Sequence, residues 1–376
     1  MRARNRGVSL VELMVAVTLA LVTIVVVMQV LTVYESRKRT TTSANDSKIG
    51  ASVGLHMLER EVRMAGAGLT LPAGFACPTG INVHHAGVTV SDGEPLAPLS
   101  IVDGGQRPDR IRVLRSDAGF GVAPATIVQN MAGPAAVISV NSRVGLAAGD
   151  LALVGAADGS KTCTLMQMSE APEELANGWV LSHSSAAGAL YNPLAPGAAF
   201  DDAPAYEVGD IVVNLGRLGL RAYGVVCDDG QAPSASNTCE LASWDAIAGP
   251  ANPALAQADS IAPQVVNLQA QYGVAPADSQ TVDQWVDATG ATWAAPDAAD
   301  QARIKAVRVA IVTRGDNLER ELVSPEELVL WNDGPDVDAD GDADPATMPL
   351  AGDERRYRYS VLRVVIPLVN VIWAGV

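Results

Sequence analysis

The feature that most constrains this chain is an apolar run from residue 8 to about residue 33 that contains a single carboxylate, Glu12. Three arginines lie within the first six residues and are followed by Gly7. A run of roughly 20 apolar residues is long enough to cross a bilayer as a helix, and the basic residues before it predict a cytoplasmic N-terminus. An ionisable side chain near the start of a span predicts a functional residue.

The position of a cleavage site separates two interpretations of this run. A secretory signal peptide has a small-residue site after its apolar region, and none occurs here before the basic cluster at 37–39. The suitable site lies before the run, between Gly7 and Val8, where a cut removes the charges and keeps the helix. The alternative is an uncut signal anchor in which Glu12 lies at the level of the lipid headgroups.

The segment RGVSLVELMVA (residues 6–16) resembles the class III signal of type IV pilins and pseudopilins. The resemblance implies that a prepilin peptidase cuts after Gly7 and methylates the new N-terminus at Val8, where the family usually has phenylalanine. It makes Glu12 the fifth mature residue. A cation in the same layer, such as the Val8 amine of an axially shifted neighbouring subunit, would compensate the Glu12 charge and fix the stagger between subunits.

The first 68 residues predict one long helix with two functions. No proline precedes Pro72, so a helix can run from residue 8 to about residue 67, roughly 90 Å at 1.5 Å per residue. Its second half carries Leu55, Leu58, Val62 and Ala65 at helical spacing, which predicts a face packed on a globular head. Glycines at positions 50 and 54 are expected to weaken the middle of the helix.

The rest of the chain reads as antiparallel β structure, because short apolar runs alternate with turn residues. The predicted fold class is α+β: a long N-terminal pilin-like helix, with a membrane-spanning first half, packed on a β-rich antiparallel head. The predicted organisation is a leader (1–7), a transmembrane half-helix (8–34), an amphipathic half-helix (35–68) and a periplasmic head (69–376). A short helix is expected at 241–248, and the apolar tail from Val361 is expected to be a buried final strand or a contact surface. The predicted strands are 111–115, 136–141, 150–154, 164–168, 179–182, 210–215, 220–226, 265–273, 306–313 and 357–367.

Composition restricts the partners of the head. The chain has a net charge of −16 and a sequence pI near 4.6, while the leader and the residues after the span are basic. An acidic body repels nucleic acid and anionic lipid. We therefore expect no nucleic-acid partner.

Four cysteines lie beyond the span, in what the predicted orientation makes an oxidising compartment. Four cysteines allow three pairings. The prediction favours Cys227 with Cys239, which closes a short turn-rich loop, and then Cys77 with Cys163. The alternative is buried free thiols.

An acidic stretch near the C-terminus is the best candidate for a metal site. Asp336, Asp338, Asp340 and Asp342 alternate around Gly341, like the first half of a calcium loop, but Thr347 stands where the closing glutamate belongs. The alternative is a solvated acidic loop, and calcium is the single cofactor that the sequence suggests. No nucleophile has a convincing base, so the chain is not expected to be an enzyme.

Two late segments carry a second resemblance. The strand VVNLQAQYGV (265–274), followed by an extended strand that ends in Arg314, is similar to the minor pilin PilW family, as is the helix end at 58–66. The resemblance implies an inner-membrane minor pilin with a periplasmic head, acting in a priming or tip complex of a type IV pilus in twitching motility and adhesion. The implied partners are other minor pilins, the major pilin, the prepilin peptidase and inner-membrane assembly proteins. The alternatives are a pseudopilin of type II secretion and a membrane-anchored periplasmic enzyme or binding protein.

Overall fold

The computed structural model describes residues 9–71, 74–75, 77–95, 97–116, 118, 124–143, 145–185, 188–217, 219–334 and 345–374. The α-helices in this part of the chain are α1 (Leu10–Arg63), α2 (Pro196–Ala199), α3 (Gly290–Trp293), α4 (Ala298–Arg303) and α5 (Val369–Ala374), and 3-10 helices lie at Leu255–Gln257 and Gly352–Arg356. The strands are β1 (Thr70–Leu71), β2 (Gly74–Phe75), β3 (Ile81–His85), β4 (Val88–Glu94), β5 (Leu99–Val102), β6 (Arg110–Arg115), β7 (Ala125–Gln129), β8 (Ile138–Val140), β9 (Leu151–Gly155), β10 (Cys163–Gln167), β11 (Glu173–Leu175), β12 (Gly178–Leu181), β13 (Ile211–Gly216), β14 (Gly219–Cys227), β15 (Cys239–Asp245), β16 (Asp259–Pro263), β17 (Val265–Val274), β18 (Gln284–Val286), β19 (Ile304–Arg314), β20 (Glu327–Trp331), β21 (Ala346–Pro349) and β22 (Tyr359–Pro367).

The N-terminal region is one uninterrupted helix of 54 residues. The apolar first half of α1 is exposed, whereas Leu58 and Val62 in the second half, and Ala65 just after the helix, are fully buried. These three side chains join the core of the head. The predicted head-facing stripe is therefore confirmed, and the helix ends at Arg63, four residues before the predicted limit.

The two glycines in the middle of α1 have different surroundings. A Cβ on Gly54 would lie 2.6 Å from the Cβ of Ala262, so only glycine allows this close approach of the helix to the edge of β16. A Cβ on Gly50 would meet the ring of Pro263 at 3.6 Å, which is an ordinary contact. Gly54 therefore has a packing function that the sequence analysis treated as a weakness of the helix.

We expect Gly54→Ala to destabilise the protein and Gly50→Ala to stabilise it. Alanine is better than glycine in a helix by up to about 1 kcal/mol, and the Gly50 site has room for the methyl group. At Gly54 the same methyl group overpacks the interface, which typically costs about 1–3 kcal/mol. Thermal unfolding of the two variants checks this, and a higher melting temperature for Gly54→Ala would contradict the packing role.

Two sheets surround the second half of α1. One has four strands in the order β18-β17-β19-β22 and the other five in the order β16-β15-β14-β6-β5. The central strands β17 and β19 are buried along almost their whole length. In β19, alternate residues Val307, Val309 and Ile311 face the core formed with α1, while Ala310 and Val312 pack on the opposite side under the β20–β21 hairpin.

A second lobe is formed by β3 and β4 together with the strands from β7 to β13, and the chain between these two parts supplies β5 and β6 to the five-stranded sheet. Its sheet has nine strands in the order β11-β12-β8-β7-β13-β9-β10-β3-β4. The lobe has two hydrophobic clusters of its own. It joins the rest of the head beyond the C-terminal end of α1, where the Gly66 amide donates to the Leu114 carbonyl and the Ser116 hydroxyl donates to the Leu215 carbonyl. We call it the distal lobe (residues 77–94 and 124–216).

The α+β class with a β-rich, mainly antiparallel head is confirmed, and each of the ten predicted strands lies on an observed one. Two local predictions are wrong. The predicted short helix at 241–248 is largely strand β15, because both of its edges pair with neighbours, β14 and β16. For the tail, the buried-strand alternative is wrong, because β22 pairs with β19 alone among the described strands and Val365 is exposed while Ile366 is buried; the contact-surface alternative remains a prediction.

Candidate assembly surfaces

The N-terminal half of α1 is the first candidate surface. Residues Leu10–Thr32 form a helix long and apolar enough to cross a membrane, with mean hydropathy 2.8 and none of this stretch buried in the head. Gly7 and Val8 lie outside the described residues, so their cleavage and methylation remain predictions. Glu12 is described: its Oε2 accepts a hydrogen bond from the Ser9 amide at 3.2 Å, which caps the start of α1 within one chain.

The second half of α1 presents two different faces. Besides the stripe buried in the head, it carries Ile49, Val53 and Met57, which are all exposed. These residues are four apart and therefore lie on one side of the helix. We call them the helix stripe. An exposed apolar row on an otherwise packed helix is the type of surface that a partner covers.

The disulfide between Cys227 and Cys239 closes a loop that a buried arginine holds in place. Cys227 in β14 and Cys239 in β15 lie directly opposite each other on the two neighbouring strands. The guanidinium of Arg314, at the end of β19, donates to the carbonyls of Ser234 and Asn237 and stacks on the ring of Tyr357 at 4.8 Å. The loop is thereby fixed to the four-stranded sheet.

The second disulfide, Cys77–Cys163, joins residues 86 apart in sequence and lies in the core of the distal lobe. It connects the start of the lobe to β10, which pairs with β3 in parallel. Both predicted disulfides are present in the structure, and none of the four cysteines is free.

A buried arginine in the middle of β19 organises the outer side of the four-stranded sheet. The Arg308 guanidinium lies between the rings of Trp285 and Trp331, at 5.0 and 4.8 Å from their centroids. Its Nε donates to Gln271 at 2.6 Å, and its Nη1 donates to both carboxylate oxygens of Asp333 at 2.7 Å. The stack ties β18 and the residues after β20 to β19.

A buried carboxylate joins the two sheets around α1. Asp109, which precedes β6, accepts hydrogen bonds from the amides of Gly104 and Ala270, both at 2.8 Å. Burial raises the pKa of the Asp109 carboxyl to about 7, although the two amide hydrogen bonds act against the shift, and nearby Asp103 raises it further. This carboxyl therefore titrates close to neutral pH.

We expect Asp109 to make the folded protein less stable as the pH rises from about 4 to about 7. In this range the folded protein keeps a proton that the unfolded chain, with a pKa of 3.8, has lost. The stabilisation is complete below the unfolded pKa and disappears as the pH rises through the folded one. The free energy of unfolding of wild type minus that of Asp109→Asn should fall over this range. The fall amounts to about 1.4 kcal/mol for each unit by which the pKa of Asp109 in the folded protein exceeds that in the unfolded chain.

Comparing wild type with Asp109→Asn cancels the contribution of the other titrating groups to the pH dependence of stability. Burial lowers the pKa of His84 and of His183, which gives stability the opposite pH dependence. Since both histidines remain in the variant, their contribution cancels in the difference. Urea unfolding at several pH values provides the measurement, and a difference that stays constant would refute the role of Asp109.

The predicted calcium residues Asp336, Asp338, Asp340 and Asp342 lie outside the described residues, so calcium binding remains a prediction. Within the described ranges, no group of three or more histidine, cysteine, aspartate or glutamate side chains is arranged to hold a metal ion. The functional candidates in the described part of the chain are therefore exposed apolar surfaces and buried clusters that hold the sheets together.

A long helix with an apolar first half, packed through its second half on a β-rich and mainly antiparallel head, fits a chain that is anchored in a membrane. The family model described as PilW, type IV pilus-assembly protein W, matches residues 236–370. This match covers about a third of the chain and supports a part in type IV pilus assembly. A comparison with curated proteins finds no match.

The matched segment begins in the Cys227–Cys239 loop and ends in α5, so the distal lobe lies outside it. The matched segment contains Arg308 and Arg314, and the sequence analysis identified only Arg314. A signal for Arg308 was present, because a charged residue within a continuous apolar strand must have a partner when it is buried. Asp109 gave no such signal, since its partner Ala270 is 161 residues away.

Proposed function

We propose that this chain is a minor pilin that enters a priming or tip complex of a type IV pilus. The observation that carries the proposal is the presence, on one chain, of a PilW-matching head and an exposed apolar helix with Glu12 near its start. In the proposal the peptidase cuts after Gly7, Val8 is methylated, and the head lies in the periplasm. The partners are other minor pilins, the major pilin and inner-membrane assembly proteins, and the chain performs no catalysis.

Assembly in this proposal exchanges one partner of Glu12 for another. In the single chain the carboxylate accepts only a neutral backbone amide, that of Ser9, within the described residues. A charged amine from the neighbouring subunit is a stronger partner, because it adds the attraction between two opposite charges, which is large where water is excluded. The gain arises only when the two helices have the correct stagger, so Glu12 selects register while the helix surfaces supply affinity.

Deletion of the gene tests this function. We expect loss of surface pili and of twitching motility, with exoprotein secretion unchanged, and restoration by the wild-type chain but not by Glu12→Val. Glu12→Asp keeps the charge and is the matched control, expected to restore part of the motility. Loss of secretion with normal motility would overturn the proposal and favour a pseudopilin of type II secretion.

A further inference from the structure

The C-terminal strand β22 (Tyr359–Pro367) is a long strand at the edge of its sheet. It has nine residues and is the last strand in the order β18-β17-β19-β22. It pairs with β19 over its whole length in a regular antiparallel register. The outer side of β22 therefore presents an ordered row of backbone N–H and C=O groups.

A hydrogen bond just beyond the end of β22 shows which backbone groups point outwards. The Leu368 amide donates to the Lys305 carbonyl at 2.9 Å, and this pair continues the register of the two strands. Even-numbered residues of β22 therefore direct both their N–H and their C=O groups towards β19, because this direction alternates along an antiparallel strand. The N–H and C=O groups of Val361, Arg363 and Val365 consequently point away from β19.

These outward groups have no partner in the described part of the chain. The N–H and C=O groups of Val361, Arg363 and Val365 make no hydrogen bond there. Each of the described strands already has its place in a sheet, and β22 pairs with β19 alone. The edge is thus open to an extended segment from another molecule.

β22 lacks the features that usually prevent pairing at an edge. Edge strands are typically short, irregular, covered, or protected by a charged side chain. The other edge strands of the three larger sheets are either short (β5, β11 and β18) or paired in an irregular register (β4 and β16). The single charged residue of β22, Arg363, does not protect the edge, because its guanidinium donates to the carbonyls of Val329 and Leu330 in β20.

The side chains of β22 define the kind of strand that this edge accepts. On the side of α1, Leu362 and Val364 pack against the core but stay partly exposed. On the opposite side, Val361 packs partly under the β20–β21 hairpin and Val365 is 56% exposed. Side chains of an added strand lie directly beside these residues. We therefore expect an apolar segment rich in β-branched or aromatic residues.

A second copy of this chain does not fit the edge. Two copies joined edge to edge as antiparallel strands are related by a twofold axis perpendicular to the sheet. This rotation reverses α1, which packs on the face formed by β19 and β22, so the two helices run in opposite directions. Two chains that are anchored by α1 in one membrane cannot pair in this way. The occupant is therefore a strand of a different protein.

We propose that β22 accepts an added β-strand from a different minor pilin, which extends the four-stranded sheet. The added strand pairs with the outward N–H and C=O groups of Val361, Arg363 and Val365. The backbone hydrogen bonds supply affinity, and the apolar side chains beside Leu362 and Val364 supply selectivity. This inference rests on the proposed function, since it takes the partner to be another subunit of the same complex.

Amide hydrogen exchange tests this proposal residue by residue. The full-length chain in detergent is measured alone and in the complex purified from membranes of cells that also express the other minor pilins. We expect the amides of Val361, Arg363 and Val365 to exchange at least about tenfold more slowly in the complex. The amides of Leu362 and Val364, which pair with β19 in both samples, are the internal control.

The possible results separate this inference from the proposed function. Equal exchange of the outward amides in the two samples would overturn the inference and leave the minor-pilin complex intact. Slow exchange already in the chain alone would indicate pairing with a second copy and would also overturn it. Failure of the wild-type chain to form any complex with other minor pilins would contradict the proposed function as well.

A proline at the edge supplies a second measurement. Val365→Pro removes one outward N–H group and places a ring where the added strand lies, but keeps the pairing with β19. Val365→Thr keeps the N–H group and the β-branched shape and is the matched control. We expect melting temperatures close to that of wild type for both variants, and recovery of the other minor pilins at least about tenfold lower with Val365→Pro. Equal recovery with the two variants would contradict the added strand, and the exchange experiment, which uses wild type, does not depend on the folding of either variant.

Discussion

Removal of the Cys77–Cys163 disulfide should lower the free energy of unfolding by about 4–5 kcal/mol, the largest effect that we expect from any covalent change in this chain. The bond closes a segment of 86 residues, and the entropy that a disulfide removes from the unfolded chain grows with the length of the closed loop. Both cysteines are buried in the core of the distal lobe with Leu69, Ile81 and Leu165. Opening the bond therefore loosens the attachment of this lobe to the end of α1.

The second disulfide provides the internal control. Cys227 and Cys239 are 12 residues apart, so the same relation gives about 3 kcal/mol. The variants to compare are Cys77→Ser with Cys163→Ser and Cys227→Ser with Cys239→Ser, by urea unfolding of the full chain in detergent. A larger loss from the short loop than from the long one would contradict the expectation.

Arg308→Ala should destabilise the protein by about 3 kcal/mol, the largest effect that we expect from a single polar side chain. The change removes two cation–π contacts, each worth about 0.5–2 kcal/mol, and leaves the buried amide of Gln271 without its guanidinium partner. An unsatisfied buried polar group costs a further 1–3 kcal/mol or so. Asp333 limits the loss, because its carboxylate is more than half exposed and returns to water.

Two matched variants separate charge from shape at this site. Arg308→Lys keeps the charge but loses the planar group that stacks between Trp285 and Trp331, so we expect an intermediate loss. Arg303 also stacks on a tryptophan, Trp293, but its side chain is five times as exposed as that of Arg308. Arg303→Ala should therefore cost under about 1 kcal/mol. Equal losses for Arg303→Ala and Arg308→Ala would show that the buried stack has no special role.

The sequence determined the outline of the fold because its strongest signals are local. The apolar run, the spacing of Leu58, Val62 and Ala65, and the absence of proline before Pro72 each act within a few helical turns. The strands β17 and β19 were predicted well, since continuous apolar stretches bounded by turn residues identify buried strands. The even number of cysteines and the short Cys227–Cys239 loop similarly indicated the disulfides.

What the sequence did not reveal depends on contacts between distant residues. The Ala-rich segment at 241–248 has helical propensity, but β15 forms there because β14 and β16 hydrogen-bond to both of its edges. Gly54 looked like a helix-weakening residue until the structure placed Ala262 against it.

The measurement that tests the central claim most directly is the intact mass of the protein from membranes, with and without the prepilin peptidase. The account predicts a chain that begins at methylated Val8 when the peptidase is present and an uncut chain that begins at Met1 when it is absent. A Met1 start in both strains would contradict the account. Gly7 and Glu12 would then have no role in processing or assembly, and a membrane-anchored periplasmic protein would be the better interpretation.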